Sequence, residues 1–126
     1  MKIQEAAEMY LETILILSEN LDKVRSIDVA NEMNYAKPTV SVMMKQFRNE
    51  DYINFADDGT ITLTEKGRKI AERIYERHKV LTNILIAFGV DPQVAQKDAC
   101  KMEHDISDET FACLRAQYNK NKVLSK

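Results

Sequence analysis

Apolar side chains recur at intervals of three and four through the first twenty residues, where Ala6, Met9, Tyr10, Thr13, Ile14 and Leu17 share one stripe of QEAAEMYLETILILSE. That period predicts an amphipathic helix over 4–19. Asn20–Lys23 reads as a turn, and Ser26 offers an N-cap hydroxyl to a short second helix, Ile27–Met33. In NYAKPTVSVMMKQFRNEDYI, Pro38 suits the first turn of a third helix, where its missing N–H has no partner to lose. Val40, Met43, Met44 and Phe47 form that helix's buried face. The period then falls from about 3.6 to about 2. Tyr52–Phe55 and Thr60–Thr64 read as a hairpin with Asp58-Gly59 in its turn. Thr64 or Glu65 opens a long fourth helix that reaches about Phe88 and stops at Gly89. Asp91 caps a fifth, with Pro92 in its first turn, through QVAQKDACKMEHDI; Ser107 caps a sixth, DETFACLRAQY, and the polar tail NKNKVLSK is expected to fray. The chain is therefore mainly α, and three helices followed by a hairpin are the layout of a winged helix-turn-helix.

Composition agrees. With 3 Gly and 2 Pro in 126 residues, long helices are favoured over many strands. Lys and Arg number 18 against 20 Asp and Glu, so binding to a polyanion needs a local basic surface. The longest apolar stretch, around Leu81–Val90, is broken by Thr82 and Asn83 and falls short of the roughly 18 residues a membrane span requires. MKIQEAAEMY has no apolar leader core, and 2 Cys make no disulfide framework. A cytoplasmic chain with no membrane partner is expected.

Two stretches carry candidate chemistry. Lys37, Thr39, Ser41 and Lys45 lie at the start of the third helix and opposite its apolar face, offering hydroxyls and amines to base edges and phosphates. Between Thr64 and Lys79, Lys66, Arg68, Lys69, Arg73, Arg77 and Lys79 outnumber Glu65, Glu72 and Glu76, a local +3. Residues 1–22 and 91–109 each carry a local −4, so the helices they form would repel unless a divalent cation lay between them. On the fifth helix Cys100, Glu103 and His104 stand at i, i+3 and i+4, which places a thiol, a carboxylate and an imidazole on one face, the three main side-chain ligand types for a transition metal. Met9 and Glu12 on the first helix and His78 on the fourth are candidates to complete the shell, whereas Cys113 reads as a core thiol. A thiol redox-sensing regulator using Cys100 or Cys113 is an alternative, and so is a plain interaction module. An enzyme is not expected, since no pocket-forming Gly loop or second catalytic group accompanies the triplet.

These residues resemble the metal-dependent repressors typified by the diphtheria toxin repressor and the manganese transport regulator. The matching strings are EMYLETI at 8–14, KPTVSVMMK at 37–45, ITLTEKGRKIAERIYERHKVL at 61–81 and DACKMEH at 98–104. The resemblance implies a winged helix-turn-helix DNA-binding domain, 1–66, followed by a helical metal-binding and dimerisation domain, 67–126, without the SH3-like third domain of longer members. Met9, Cys100, Glu103 and His104 match the primary metal site of the iron branch. The manganese branch has carboxylates where Met9 and Cys100 stand, and its other ligands match Glu12, His78, Glu103 and His104. One or two ions per subunit are thus implied, while Thr82 and Gln96 replace the Glu and His of the iron branch's ancillary site. Thioether and thiolate favour Fe(II), with Mn(II) the rival. Arg25, Ser26, Lys37, Pro38, Thr39, Ser41 and Lys45 form the expected DNA-contacting set, with Val42 standing where the iron branch has Gln. The implied partner is a palindromic double-stranded operator bound by a homodimer, whose expected core is Val80, Leu81, Ile84, Leu85, Phe88, Phe111 and Leu114.

Overall fold

A computed structural model describes residues 3–124, with side chains from 5 to 120. The helices are α1 (Ile3–Asn20), α2 (Ser26–Met33), α3 (Lys37–Asn49), α4 (Glu65–Ala87), α5 (Pro92–Met102) and α6 (Asp108–Leu124); β1 (Ile53–Phe55) and β2 (Ile61–Leu63) lie between α3 and α4. The mainly helical reading holds. The chain forms two compact units, Met1–Arg73 and Ile74–Lys126, divided within α4.

In the first unit β1 and β2 pair antiparallel, with Ile53 opposite Leu63 and Phe55 opposite Ile61. Ile61 N–H also donates to Val24 O at 2.7 Å, a bridge that adds a third extended segment to the hairpin. The hairpin turn closes with Gly59 N–H on Ala56 O, and Gly59 takes φ +86°, a conformation that suits glycine. Val40, Met44 and Phe47 of α3 are buried as expected, while Met43 is only half-buried. Tyr10 of α1 lies 5.4 Å from the Phe47 ring and 6.0 Å from Tyr35, tying α1 to α3 and to the turn that precedes it.

Two local expectations shift. The buried side of α1 is Ala7, Tyr10, Leu11, Ile14 and Leu15, with Glu8 and Glu12 also buried, so the stripe lies one residue from the predicted one. Arg73, 2.9 Å from Glu8, compensates one of those carboxylates. The second helix begins at Ser26, not after it: Arg25 is the N-cap, and the Asp28 carboxylate accepts its N–H at 2.9 Å.

In the second unit Leu81, Ala99 and Phe111 form a small core on which Val80, Met102, Ile106 and Leu114 pack. Leu81 and Phe111 are therefore spent inside the unit, and the apolar surface left exposed is Ile86, Phe88 (83% exposed) and Val94. Of the residues expected in a dimer core, Leu81 and Phe111 are buried within the unit, Val80, Ile84, Leu85 and Leu114 are half-buried, and Phe88 is strongly exposed. Asp91 caps α5 through Gln93 and Val94 N–H, and Ser107 Oγ accepts Thr110 N–H at 3.1 Å at the start of α6, both as read. The tail does not fray from residue 119, because α6 continues to Leu124; Ser125 and Lys126 lie outside the described residues. No helix among the described residues is long and apolar enough to cross a membrane.

Gly67, near the start of α4, is where backbone meets backbone. A Cβ there would stand 2.1 Å from Tyr52 O, a carbonyl already held by Thr64 N–H at 3.0 Å. Alanine raises helix propensity by about 1 kcal/mol. Overpacking of this kind costs about 1–3 kcal/mol or more. Gly67→Ala is thus expected to lower the denaturant midpoint of the chain, and an unchanged or raised midpoint would contradict this contact.

Candidate functional site

The second unit gathers four of the predicted ligands around one buried carboxylate. Glu103 caps the C-terminus of α5 with helical dihedrals, and its N–H donates to Ala99 O at 2.9 Å. Its side chain has no solvent exposure; Oε2 lies 3.0 Å from His78 Nδ1 on α4 and Oε1 lies 3.3 Å from His104 Nε2. Ligand atoms of His78, Cys100 and Glu103 all fall within 4.8 Å of one another. Hydrogen bonding to Cys100 first, and to Glu103 second, outweighs burial and pushes the His78 imidazole up to about 10.

The spacing argument holds for Cys100 and Glu103 and changes for His104. The helix does not run on through Ile106 but stops at Met102, and His104 sits in the turn that follows, where Asp105 N–H donates to Met102 O. Arg77 explains the stop. Its Nη1 donates to Glu103 O at 3.1 Å and Ile106 O at 3.0 Å, and its Nη2 bonds the Asp108 carboxylate. Within the local +3 of residues 64–79, Arg77 stands three residues from Ile74 and four from Leu81, both core positions, so its helical phase places it inside. A half-buried imidazole, an exposed thiol and a buried carboxylate, with ligand atoms within 4.8 Å of one another, make a donor set that fits a divalent transition metal. Met9 and Glu12 lie on α1 of the first unit, Met9 half-buried and Glu12 buried. Cys113 is exposed, not a core thiol, because Phe111 and Leu114 carry the apolar side of α6.

In the first unit Lys37, Pro38, Thr39, Ser41 and Lys45 are all exposed on α3, along with Val42. Arg25 is exposed and Ser26 half-buried at the start of α2. The wing tip engages that region: Asp58 Oδ2 lies 3.1 Å from Lys23 Nζ and 3.8 Å from Arg25. Hydrogen bonds from Thr60 and then Lys23 hold the Asp58 carboxyl well below the usual carboxylate range. The basic run of α4 is solvent-exposed except at Arg77, and each of its cations has a local partner. Arg68 pairs with Glu72 and Lys69 with Glu65, Arg73 bonds Glu8, Arg77 is buried, and Lys66 and Lys79 lie over the Tyr52 and Tyr75 rings.

Two outcomes follow. A histidine raised to about 10 from 6.5 stabilises the fold fully below about 6.5, and that stabilisation is lost as pH rises through about 10. In chelator, the melting temperature should fall between pH 7 and 10, and His78→Asn should flatten that fall; equal slopes would contradict it. Asp58→Asn should release Lys23 and Arg25, tightening duplex binding and steepening the log–log salt slope by about one. Anisotropy at several salt concentrations reads both, and an unchanged slope would show that the pair leaves phosphate contact unaffected.

Known proteins share both units. Residues 2–61 match the family described as iron dependent repressor, N-terminal DNA binding domain, and residues 64–123 the family described as iron dependent repressor, metal binding and dimerisation domain. The transcriptional regulator MntR of Escherichia coli is 33% identical over 112 residues, covering 89% of this chain and 72% of its own. An uncharacterised HTH-type transcriptional regulator of Methanocaldococcus jannaschii is 34% identical over 122 residues, covering 95% of this chain and 98% of its own. Among solved structures, a manganese-dependent transcriptional repressor in complex with manganese aligns with a TM-score of 0.83 at 26% identity, over 90% of this chain. The chain spans about half the length of that solved protein, 52%. The chain belongs to the iron-dependent repressor family, metal-dependent transcriptional regulators rather than enzymes.

Proposed function

We propose that the chain represses genes of metal uptake or homeostasis when a divalent transition metal binds it. The observation that carries this reading is the buried Glu103 carboxylate bracketed by His78, His104 and Cys100, within the stretch that matches a metal-binding and dimerisation domain. His78, Cys100, Glu103 and His104 hold the ion; Met9 and Glu12 are assigned with them on the family resemblance alone, and the number of ions is one or two per subunit. Ligation requires His78 to give up its proton, so metal binding releases protons and strengthens with pH. Residues 1–66 read DNA through Lys37, Pro38, Thr39, Ser41 and Lys45 of α3, supported by Arg25 and Ser26, and residues 67–126 bind metal and dimerise. A homodimer places one α3 in each half-site of a palindromic operator. Activation requires that the metal bind the DNA-competent state more tightly than the other, since equal affinity would shift nothing.

The Cys100 thiolate favours Fe(II) over Mn(II), which prefers oxygen ligands, and Fe(II) is the proposed co-repressor. Mn(II) is the second reading, favoured by relatives named as manganese regulators. Anaerobic anisotropy on a pool of random duplexes, titrated separately with Fe(II), Mn(II) and Zn(II), tests both. Binding should need metal, reach saturation at lower free Fe(II) than Mn(II), and vanish in the Glu103→Ala, His104→Ala double variant. Binding indifferent to metal and chelator would overturn the reading, and Mn(II) acting at the lower concentration would move it to the manganese branch.

A further inference from the structure

Arg77 is a buried cation to which the metal reading gives no task. It neighbours His78 on α4, its side chain is 7% exposed, and its guanidinium lies 5.1 Å above the Phe111 ring. Its bonds to Glu103 O, Ile106 O and the Asp108 carboxylate reach both ends of the turn that joins α5 to α6. That turn carries Glu103 and His104. Electrostatics alone makes the placement costly, because a fixed positive charge beside a cation site repels the ion that binds there.

We infer that Arg77 is a positioning residue for the metal site: it folds the turn in advance, so that the Glu103 and His104 side chains are aimed before an ion arrives. The inference rests on the metal reading above and deepens it. The guanidinium suits the task because its planar fork satisfies two carbonyls and a carboxylate at once, whereas a lysine ammonium offers one compact charge with no fixed fork. It also settles one backbone carbonyl where α5 ends, Glu103 O, and one just before α6 begins, Ile106 O, both of which lie outside the helical ladders and need donors. Loss of this support leaves all the ligands in place and removes only their preorganisation.

The sign of the effect separates this role from its rivals. If Arg77 acts on the site only through its charge, neutralising it tightens divalent metal binding. If it merely stabilises the fold, neutralisation lowers the melting temperature and leaves the affinity of the folded protein unchanged. Positioning predicts weaker binding with the same ligands. The test titrates Co(II) alone, without DNA, into the full chain, following the thiolate-to-cobalt absorption that reports Cys100, for the unaltered protein, Arg77→Gln, Arg77→Lys and Cys100→Ser. The unaltered chain should show the band and Cys100→Ser should lack it. Arg77→Gln should weaken Co(II) binding about ten- to a hundredfold, the usual loss for a group that orients metal ligands. Its band at saturation should be unchanged, and Arg77→Lys should fall between the two. Affinity that is unchanged or tighter in folded Arg77→Gln overturns the inference and leaves the metal reading standing. No cobalt binding by the unaltered chain overturns both. If Arg77→Gln does not fold, Asp108→Asn decides: it keeps both carbonyl bonds of Arg77 and loosens only its anchor, so weaker Co(II) binding supports the role and unchanged binding overturns it.

Discussion

A carboxylate sealed from water has to be met by donors or positive charge, and Glu103 imposes that demand on the second unit. His78 and His104 approach one oxygen each, Cys100 lies one helical turn away, and the backbone carbonyl of the same residue is taken by Arg77. Glu103 thus meets α4 twice, through its carboxylate at His78 and through its backbone carbonyl at Arg77, while the His78 imidazole is raised by Cys100 first and Glu103 second. A proton on the raised His78 supplies the positive charge, and in the proposed reading a divalent cation would have to displace it.

Much of this architecture was legible in the chain because its causes are local. Asp91-Pro92 and Ser107 mark helix starts through cap chemistry that spans three residues, and Asp58-Gly59 marks a turn for the same reason. Ser26 misled by one position because Asp28, a rival cap, takes the N–H of Arg25. Burial of charge was not legible in the same way. Glu8 is compensated by Arg73, 65 residues away, and no spacing rule connects them. The triplet Cys100, Glu103 and His104 was visible as helical spacing, but its organisation around Glu103, with His104 in a turn, depends on a guanidinium from another helix. Cys113 shows the opposite error: its residue type suggested burial, while its position between Phe111 and Leu114 put it on the exposed side of α6.

The local +3 of α4 is distributed among partnered side chains, and of its cations only Arg77 is withdrawn from the surface. The cations of α4 are engaged in i,i+4 pairs, aromatic contacts and a buried clamp, and those at the start of α2 face Asp58. What α3 presents outward mixes Pro38, Thr39, Ser41, Asn49 and the 65%-exposed Val42 with the cations Lys37, Lys45 and Arg48.

The close approach of Gly67 to Tyr52 O has a bearing on the wing. The hairpin's base sits against the first turn of α4 with no side chain between them, so the two backbones are in direct contact. A side chain at position 67 would have to part that contact, so the hairpin's seat on the helix depends on glycine there. Less freedom remains to be lost than in an arm that becomes ordered only on contact.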